Sequence, residues 1–257
     1  MPSAPAWIDL APVDMSAQWK DFFQTYRNAS VATEADLFFQ VGRTVNRIPT
    51  SEEVFRKLVA RIIARLRLSP QDHLFEYCCG NGLVTFELAA AVRKVTAIDF
   101  TEHYVQTARR LKGRDNIAYQ VADAAAPLQG LVSRRDLPNK FFMASALAYF
   151  SPPELEEILR NLLRLVGKNP FQFFITEIPN ARLKWNFYNT PERVARHLEN
   201  EERSPGTNDG VGRWWRAEEI QDICAGLKVN VKIQNMPPQF YNYRMEALVS
   251  PGRGEEQ

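Results

Sequence analysis

The residues with the clearest chemical potential lie in HLFEYCCGNGLVTFELA. An apolar run reaches Glu76, passes through Cys78, Cys79, Gly80, Asn81 and Gly82, and enters a helical pattern at Leu83. Glycines at such a turn let a ligand approach the backbone, and a helix start offers unsatisfied N–H donors. Taken alone, Gly80-Asn81-Gly82 reads equally as a tight turn that needs positive φ. Asp99 closes the next apolar run, 17 residues after Gly82, where an acidic side chain accepts both hydroxyls of a ribose. Asp123 closes the third, in VADAAAP, where a carboxylate meets an adenine amino group. Each acid by itself is a strand-end cap or turn former. Together, Glu76, Asp99 and Asp123 put three acids on the carboxyl edge of one sheet, where open α/β sheets bind ligands. That pattern points to an adenosine-containing ligand.

The loop chemistry narrows the choice. A nicotinamide dinucleotide prefers a third glycine for helix packing, and that position is Thr85. A phosphate-cradling loop needs a lysine, and none follows Gly82 until Lys94. A carboxylate at Glu76 repels a pyrophosphate but suits the ammonium of an amino acid. Loop acid, ribose acid and adenine acid together describe S-adenosylmethionine (SAM). No metal site is expected, because Cys78-Cys79 lacks a spaced second pair and the three histidines are scattered.

These residues need a frame. Five β-prone runs, His73–Cys79, Lys94–Phe100, Asn116–Ala122, Phe141–Ala146 and Phe171–Ile178, alternate with helical patterns near Leu83–Val92, Glu102–Leu111 and Pro153–Leu165. Runs apolar almost throughout suit strands buried on both faces of a parallel sheet with right-handed crossovers. Val229–Met236 and Tyr241–Val249 are joined by a turn carrying Pro237-Pro238, too short for a parallel crossover, so an antiparallel hairpin is expected to end the sheet. Upstream, Ser51 and two glutamates start a helix that presents Val54, Leu58, Ile62 and Leu66 on one face. The first ~50 residues look irregular by ordinary connection lengths, apart from a helical pattern around Trp19–Tyr26. The expected organisation is a cap over 1–50 and one domain over 51–257, with a late insertion at about 180–215.

The chain resembles the class I SAM-dependent methyltransferases, in particular the small-molecule type with an N-terminal helical cap. The resemblance runs from roughly Pro49 to Val249 and is clearest in EYCCGNG, VTAIDF and YQVADA. The family's first motif is commonly acid-x-Gly-x-Gly-x-Gly, and Cys78 replaces its first glycine. The resemblance implies a Rossmann-like α/β fold, a seven-stranded, mostly parallel sheet with a C-terminal antiparallel hairpin and helices on both faces. It also implies cofactor contacts by Glu76, Cys78, Gly80, Asn81 and Gly82, by Asp99 at the ribose, by Asp123 with Ala124 at the adenine, and by Phe100 packed on the adenosine. In FFQVGRTVNRIPTSEE, Gly42, Arg43 and Thr44 are similar to a cap that closes over the methionine carboxylate. An arginine fork suits that carboxylate, and an exposed loop is the alternative.

Methyl transfer relies on alignment and exclusion of water, and needs a base only for a hydroxyl or protonated amine acceptor. The acceptor side is expected at SALAYF (Ser145–Phe150) and EIPN (Glu177–Asn180), under the 180–215 segment. Four residues are candidates for a base: His103, Tyr149, Glu177 and His197. Trp185, Phe187, Tyr188, Trp214 and Trp215 either pack the cap or line a pocket for a flat or apolar acceptor. The expected function is methylation of an oxygen or nitrogen on a small molecule such as a sugar or secondary metabolite. The rivals are a nucleic-acid methyltransferase, an NAD-dependent oxidoreductase and a non-catalytic binding protein. With 32 Lys+Arg against 30 Asp+Glu, the net charge is +2, which gives no pull toward nucleic acid, and SALAYFSPPE lacks an element for holding a flipped base. Adjacent cysteines, no secretory pattern and no long apolar run lead to the expectation of a soluble cytoplasmic protein without a membrane partner.

Overall fold

Burial of strands on both faces sets the architecture. The computed structural model describes residues 16–25, 33–45, 48–203 and 211–252. In chain order, helices α1 (Ser16–Thr25) and α2 (Glu34–Gln40) precede a two-residue ribbon, β1 (Thr44–Val45) and β2 (Ile48–Pro49). Then follow α3 (Glu52–Leu66), β3 (His73–Tyr77), α4 (Leu83–Leu88), β4 (Lys94–Asp99), α5 (Glu102–Leu111) and β5 (Ile117–Val121). Next come β6 (Lys140–Ala144), α6 (Pro152–Val166), β7 (Gln172–Pro179), α7 (Lys184–Phe187) and α8 (Pro191–Arg203). The described chain closes with α9 (Ala217–Gly226), β8 (Val229–Asn235) and β9 (Arg244–Pro251).

The sheet order is β5-β4-β3-β6-β7-β9-β8. The first five strands are parallel, whereas β9 pairs antiparallel with both β7 and β8. The expected mostly parallel seven-stranded sheet with a terminal hairpin is what forms. Alternate residues feed two cores: Phe141 and Met143 pack with α6 and α9, while Phe142 and Phe174 pack with α3, α4 and α5. Two layers of helices therefore bury the central strands on both faces, while the edge strands β5 and β8 keep exposed residues.

Ser51 caps α3 by accepting the N–H of Val54 at 3.4 Å. Ser151 and Glu154 form a capping box on α6, behind Pro152 and Pro153. The helix expected over Leu83–Val92 stops at Leu88 and tightens into a 3-10 turn over Ala89–Ala91. Strands expected to reach Cys79 and Ala146 end earlier, at Tyr77 and Ala144, because Cys78 and Ser145 turn left-handed at φ 55°. Most of RSPGTNDGVG, the centre of the expected insertion, lies outside the described residues. No helix among the described residues is long and apolar enough to cross a membrane.

Candidate functional site

After β5 at one edge, the chain returns to place β6 on the other side of β3, so β3 and β6 flank the point where the strand order reverses. Above their carboxyl ends lies a cavity of about 1210 Å³. Three non-glycine residues lining it are left-handed: Cys78 (φ 55°), Ser145 (φ 55°) and Glu177 (φ 62°). Glu177 sits in a bulge of β7, between Ile175 and Ile178 in the pairing with β9. Each such backbone costs about 1–2 kcal/mol, and strain of this kind gathers at functional sites.

On the flank made by β3, β4 and β5, all three sequence-selected acids reach the cavity. Glu76 is buried, and its Oε2 has no hydrogen-bond partner among the described residues. Burial pushes its carboxyl up to about 8, against the pull of the Thr85 hydroxyl and then of Arg43. Asp99 braces the loop: Oδ2 accepts the N–H of Gly80 and Oδ1 that of Thr101, both at 2.9 Å. Burial raises its pKa although those bonds oppose the shift. Asp123 accepts the N–H of Ala125 at 2.9 Å and pairs with Lys20 of α1 at 2.6 Å. Phe100 and Ala124 line the same wall.

The turn itself divides differently from the sequence expectation. Gly80 lines the cavity, and a Cβ there would come within 2.9 Å of Val41 Cγ1, so the cap presses on the loop. Gly82 is not among the lining residues; its φ is +78° and a Cβ would sit 2.5 Å from the Tyr119 hydroxyl, so glycine is needed there for packing under β5. The Asn81 side chain is fully buried and donates to Leu37 O (2.8 Å) and Gln40 Oε1 (2.9 Å). These bonds tie the loop to α2, and Asn81 also lines the cavity. Cys78 lines the cavity, with its thiol pKa raised by burial and by the neighbouring carboxylates.

The opposite flank is cationic. Arg43, expected to reach for a cofactor carboxylate, donates both Nη atoms to Glu177, at 3.3 and 3.0 Å. Thr44 lines the cavity beside it. Arg244, at the start of β9, donates from Nη1 to Ser145 Oγ (3.2 Å) and to the Glu177 carbonyl (3.3 Å). Burial works to raise the Glu177 pKa, but Arg43, Arg244 and the hydrogen bonds outweigh it and hold the carboxyl below its ordinary value. As a proton acceptor Glu177 is therefore weak.

The other base candidates separate clearly. Tyr149 lines the cavity, its ring 4.7 Å from Trp19 and 4.9 Å from Phe23. His103 and His197 are not among the lining residues. His103 packs its ring 4.5 Å from Tyr104 in the first turn of α5, and His197 is buried in a stack 4.2 Å from Tyr188. Of the five aromatics in the 180–215 segment, Phe187 lines the cavity. Trp215 is fully buried and donates to Leu147 O at 2.9 Å, while Trp185 is about half exposed. Sequence reasoning missed Trp19, Phe22 and Phe23 of α1 and the Phe240–Arg244 stretch between β8 and β9. A signal existed for the latter: FYNYR is a run of rings and a guanidinium that no hairpin turn requires. Among the described residues, no group of three or more His, Cys, Asp and Glu is placed to hold a metal ion.

A doubly wound sheet with this strand order, acids at or just past the ends of β3, β4 and β5, and a cavity at the switch point form a ligand site of the kind open α/β sheets carry. Comparison with known proteins places this arrangement among its relatives. Residues 75–169 match a family described as a methyltransferase domain, so this stretch belongs to that family. An uncharacterized methyltransferase of Schizosaccharomyces pombe is 38% identical over 55 residues, a match spanning 21% of each chain. Solved structures share the fold across nearly the whole chain. Magnesium protoporphyrin IX methyltransferase from Synechocystis with bound S-adenosylhomocysteine (SAH) is 14% identical, with TM-score 0.58, over 93% of this chain and all of that one. Haemonchus contortus phosphoethanolamine N-methyltransferase 1, with phosphoethanolamine and SAH, is 16% identical, with TM-score 0.64, over 95% of this chain and 50% of that one.

Proposed function

We propose that the chain is a SAM-dependent methyltransferase that methylates an oxygen or nitrogen of a small molecule. One observation carries this reading: three acids at the ends of adjacent strands face one cavity, and one of them, Glu76, is buried with an orphaned oxygen. A buried carboxyl without a partner is costly, and a ligand ammonium would relieve it. The residues present thus fit the cofactor: Glu76 for its ammonium, Asp99 for the ribose, Asp123 and Ala124 for the adenine, and Phe100 against the adenosine. When bound, SAM supplies an electrophilic methyl group on a sulfonium.

The chain's own work is alignment and exclusion of water. Trp19, Phe22 and Phe23 of α1 and the Phe240–Tyr243 loop enclose the cavity with rings, which favours a dry site. Glu177, locked by Arg43, positions groups and does not take a proton. Of the four base candidates, Tyr149 and Glu177 line the cavity, and Tyr149 is the one offered as the proton acceptor. Helix α1 and the 41–44 stretch, which line the cavity, would act as the cover for cofactor and acceptor.

Isothermal titration with SAM and SAH, with NADH as control, tests the reading. Micromolar binding of the sulfur ligands alone is expected. Binding of NADH instead, or silence from folded protein, refutes it.

A further inference from the structure

Building on the proposal that the cavity holds an acceptor beside the cofactor, we infer that Arg244 anchors a carboxylate or phosphate on that acceptor, making the substrate an acidic small molecule. Two guanidiniums, Arg43 and Arg244, share one carboxylate, Glu177, and Arg43 already engages both of its oxygens. Arg244 approaches Glu177 Oε1 only to 4.0 Å, beyond hydrogen-bonding range. Its side chain is 18% exposed, and its buried Nε has no partner among the described residues. Every hydrogen bond it makes within those residues comes from Nη1. An enclosed cation in that condition shares a counter-charge that Arg43 already engages, and holds it only at 4.0 Å.

Its orientation is fixed. Nη1 is held by Ser145 and the Glu177 carbonyl, while the rings of Tyr241 and Tyr243 lie 4.5 and 5.3 Å from the guanidinium carbon. That leaves the Nε–Nη2 edge, the fork that matches a carboxylate or phosphate bidentately. Position separates this fork from the cofactor. Arg244 opens β9, beyond β7 and three strands from β3, whereas Asp99 ends β4 and Asp123 lies two residues past β5 on the other side. Arg43, by contrast, acts electrostatically on Glu76 as well as on Glu177. A bidentate grip makes the anion the handle that orients the molecule, so the methyl group goes to a different oxygen or nitrogen of it.

The test measures benzoate, phenyl phosphate and neutral benzyl alcohol by calorimetry against SAH-saturated full-length protein, then against Arg244→Gln and Arg244→Lys. At least one anion should bind tenfold or more tightly than the alcohol, and benzoate against phenyl phosphate tells which acid is preferred. Arg244→Gln should abolish the preference and Arg244→Lys should retain part of it; thermal melts check that both variants are folded. No preference in the wild type, or one that survives Arg244→Gln in folded protein, overturns the assignment. Titration of SAH alone keeps the two readings apart. SAH uptake without anion preference sinks the anchor only, and an Arg244-dependent anion preference without SAH uptake sinks the cofactor reading only.

Discussion

The two flanks of the cavity are built by opposite means. The cofactor flank is acidic and uses the ends of consecutive strands, Glu76, Asp99 and Asp123, each close in sequence to the loop it serves. The other flank is cationic and aromatic. Its central pair, Arg43 and Glu177, joins residues 134 positions apart, and Arg244 reaches Ser145 across 99. One flank is a property of the sheet, whereas the other is a property of long-range packing among cap, bulge and hairpin loop. Damage should accordingly show as lost binding on the first flank and as lost stability on the second.

The largest effect is expected from Glu177→Ala. It leaves Arg43 and Arg244 enclosed without their shared carboxylate, and removing one partner of a buried pair costs about 3–5 kcal/mol. Urea denaturation should show the loss, and an unshifted midpoint would mean that Glu177 does not hold this flank together. Asp99→Ala comes next, on the cofactor side. SAH should bind more weakly by about 1.5–3 kcal/mol, roughly ten- to a hundredfold, as a charged acceptor is removed. Because Asp99 also accepts the N–H of Gly80, some stability should go with it. Intact SAH affinity in calorimetry would reject the ribose role.

Glu76 gives the cofactor flank a pH dependence. Its carboxyl, pushed up to about 8 by burial, holds a proton at neutral pH in the ligand-free protein. A ligand ammonium favours the ionised form and displaces that proton. Affinity for SAH should therefore climb as pH rises toward 8, by at most about tenfold per unit, and Glu76→Gln should flatten the profile. Stability runs the other way. Between the ordinary carboxyl value and about 8, the unfolded chain has released a proton that the folded chain keeps, so ligand-free protein weakens as pH rises through that window. A wild-type SAH profile as flat as that of the variant would remove Glu76 from the ammonium site.

The same division explains what the sequence made legible. Apolar runs alternating with helical periodicity located β3 to β7 and the hairpin, and a strand end is a local feature, so the three acids could be read one by one. The roles of Asn81 and Gly82 could not, because they depend on what packs against the turn: α2 for Asn81, Tyr119 for Gly82. Residue type alone does not separate His103 and His197 from a cavity-lining candidate, since an imidazole packed against a neighbouring ring looks the same in sequence as one in a pocket. Glu177 was selected for its place at a strand end, and only the approach of Arg43 from the cap turns it from a base into an anchor.

The smallest effect should come where the flanks' logic is weakest, at Lys20. Its pair with Asp123 is 2.6 Å long but lies at the surface, with the two side chains 42% and 35% exposed. Exposed pairs contribute about 0–1 kcal/mol and are screened by salt. Helix α1 keeps its other hold on the cavity through Trp19 and Phe23 against Tyr149. Lys20→Ala should therefore weaken SAH binding by less than about fivefold, and the difference from wild type should shrink as salt is raised in the titration. A loss as large as that of Asp99→Ala, or one indifferent to salt, would mean that Lys20 touches the ligand itself and that the cofactor flank extends onto the cap.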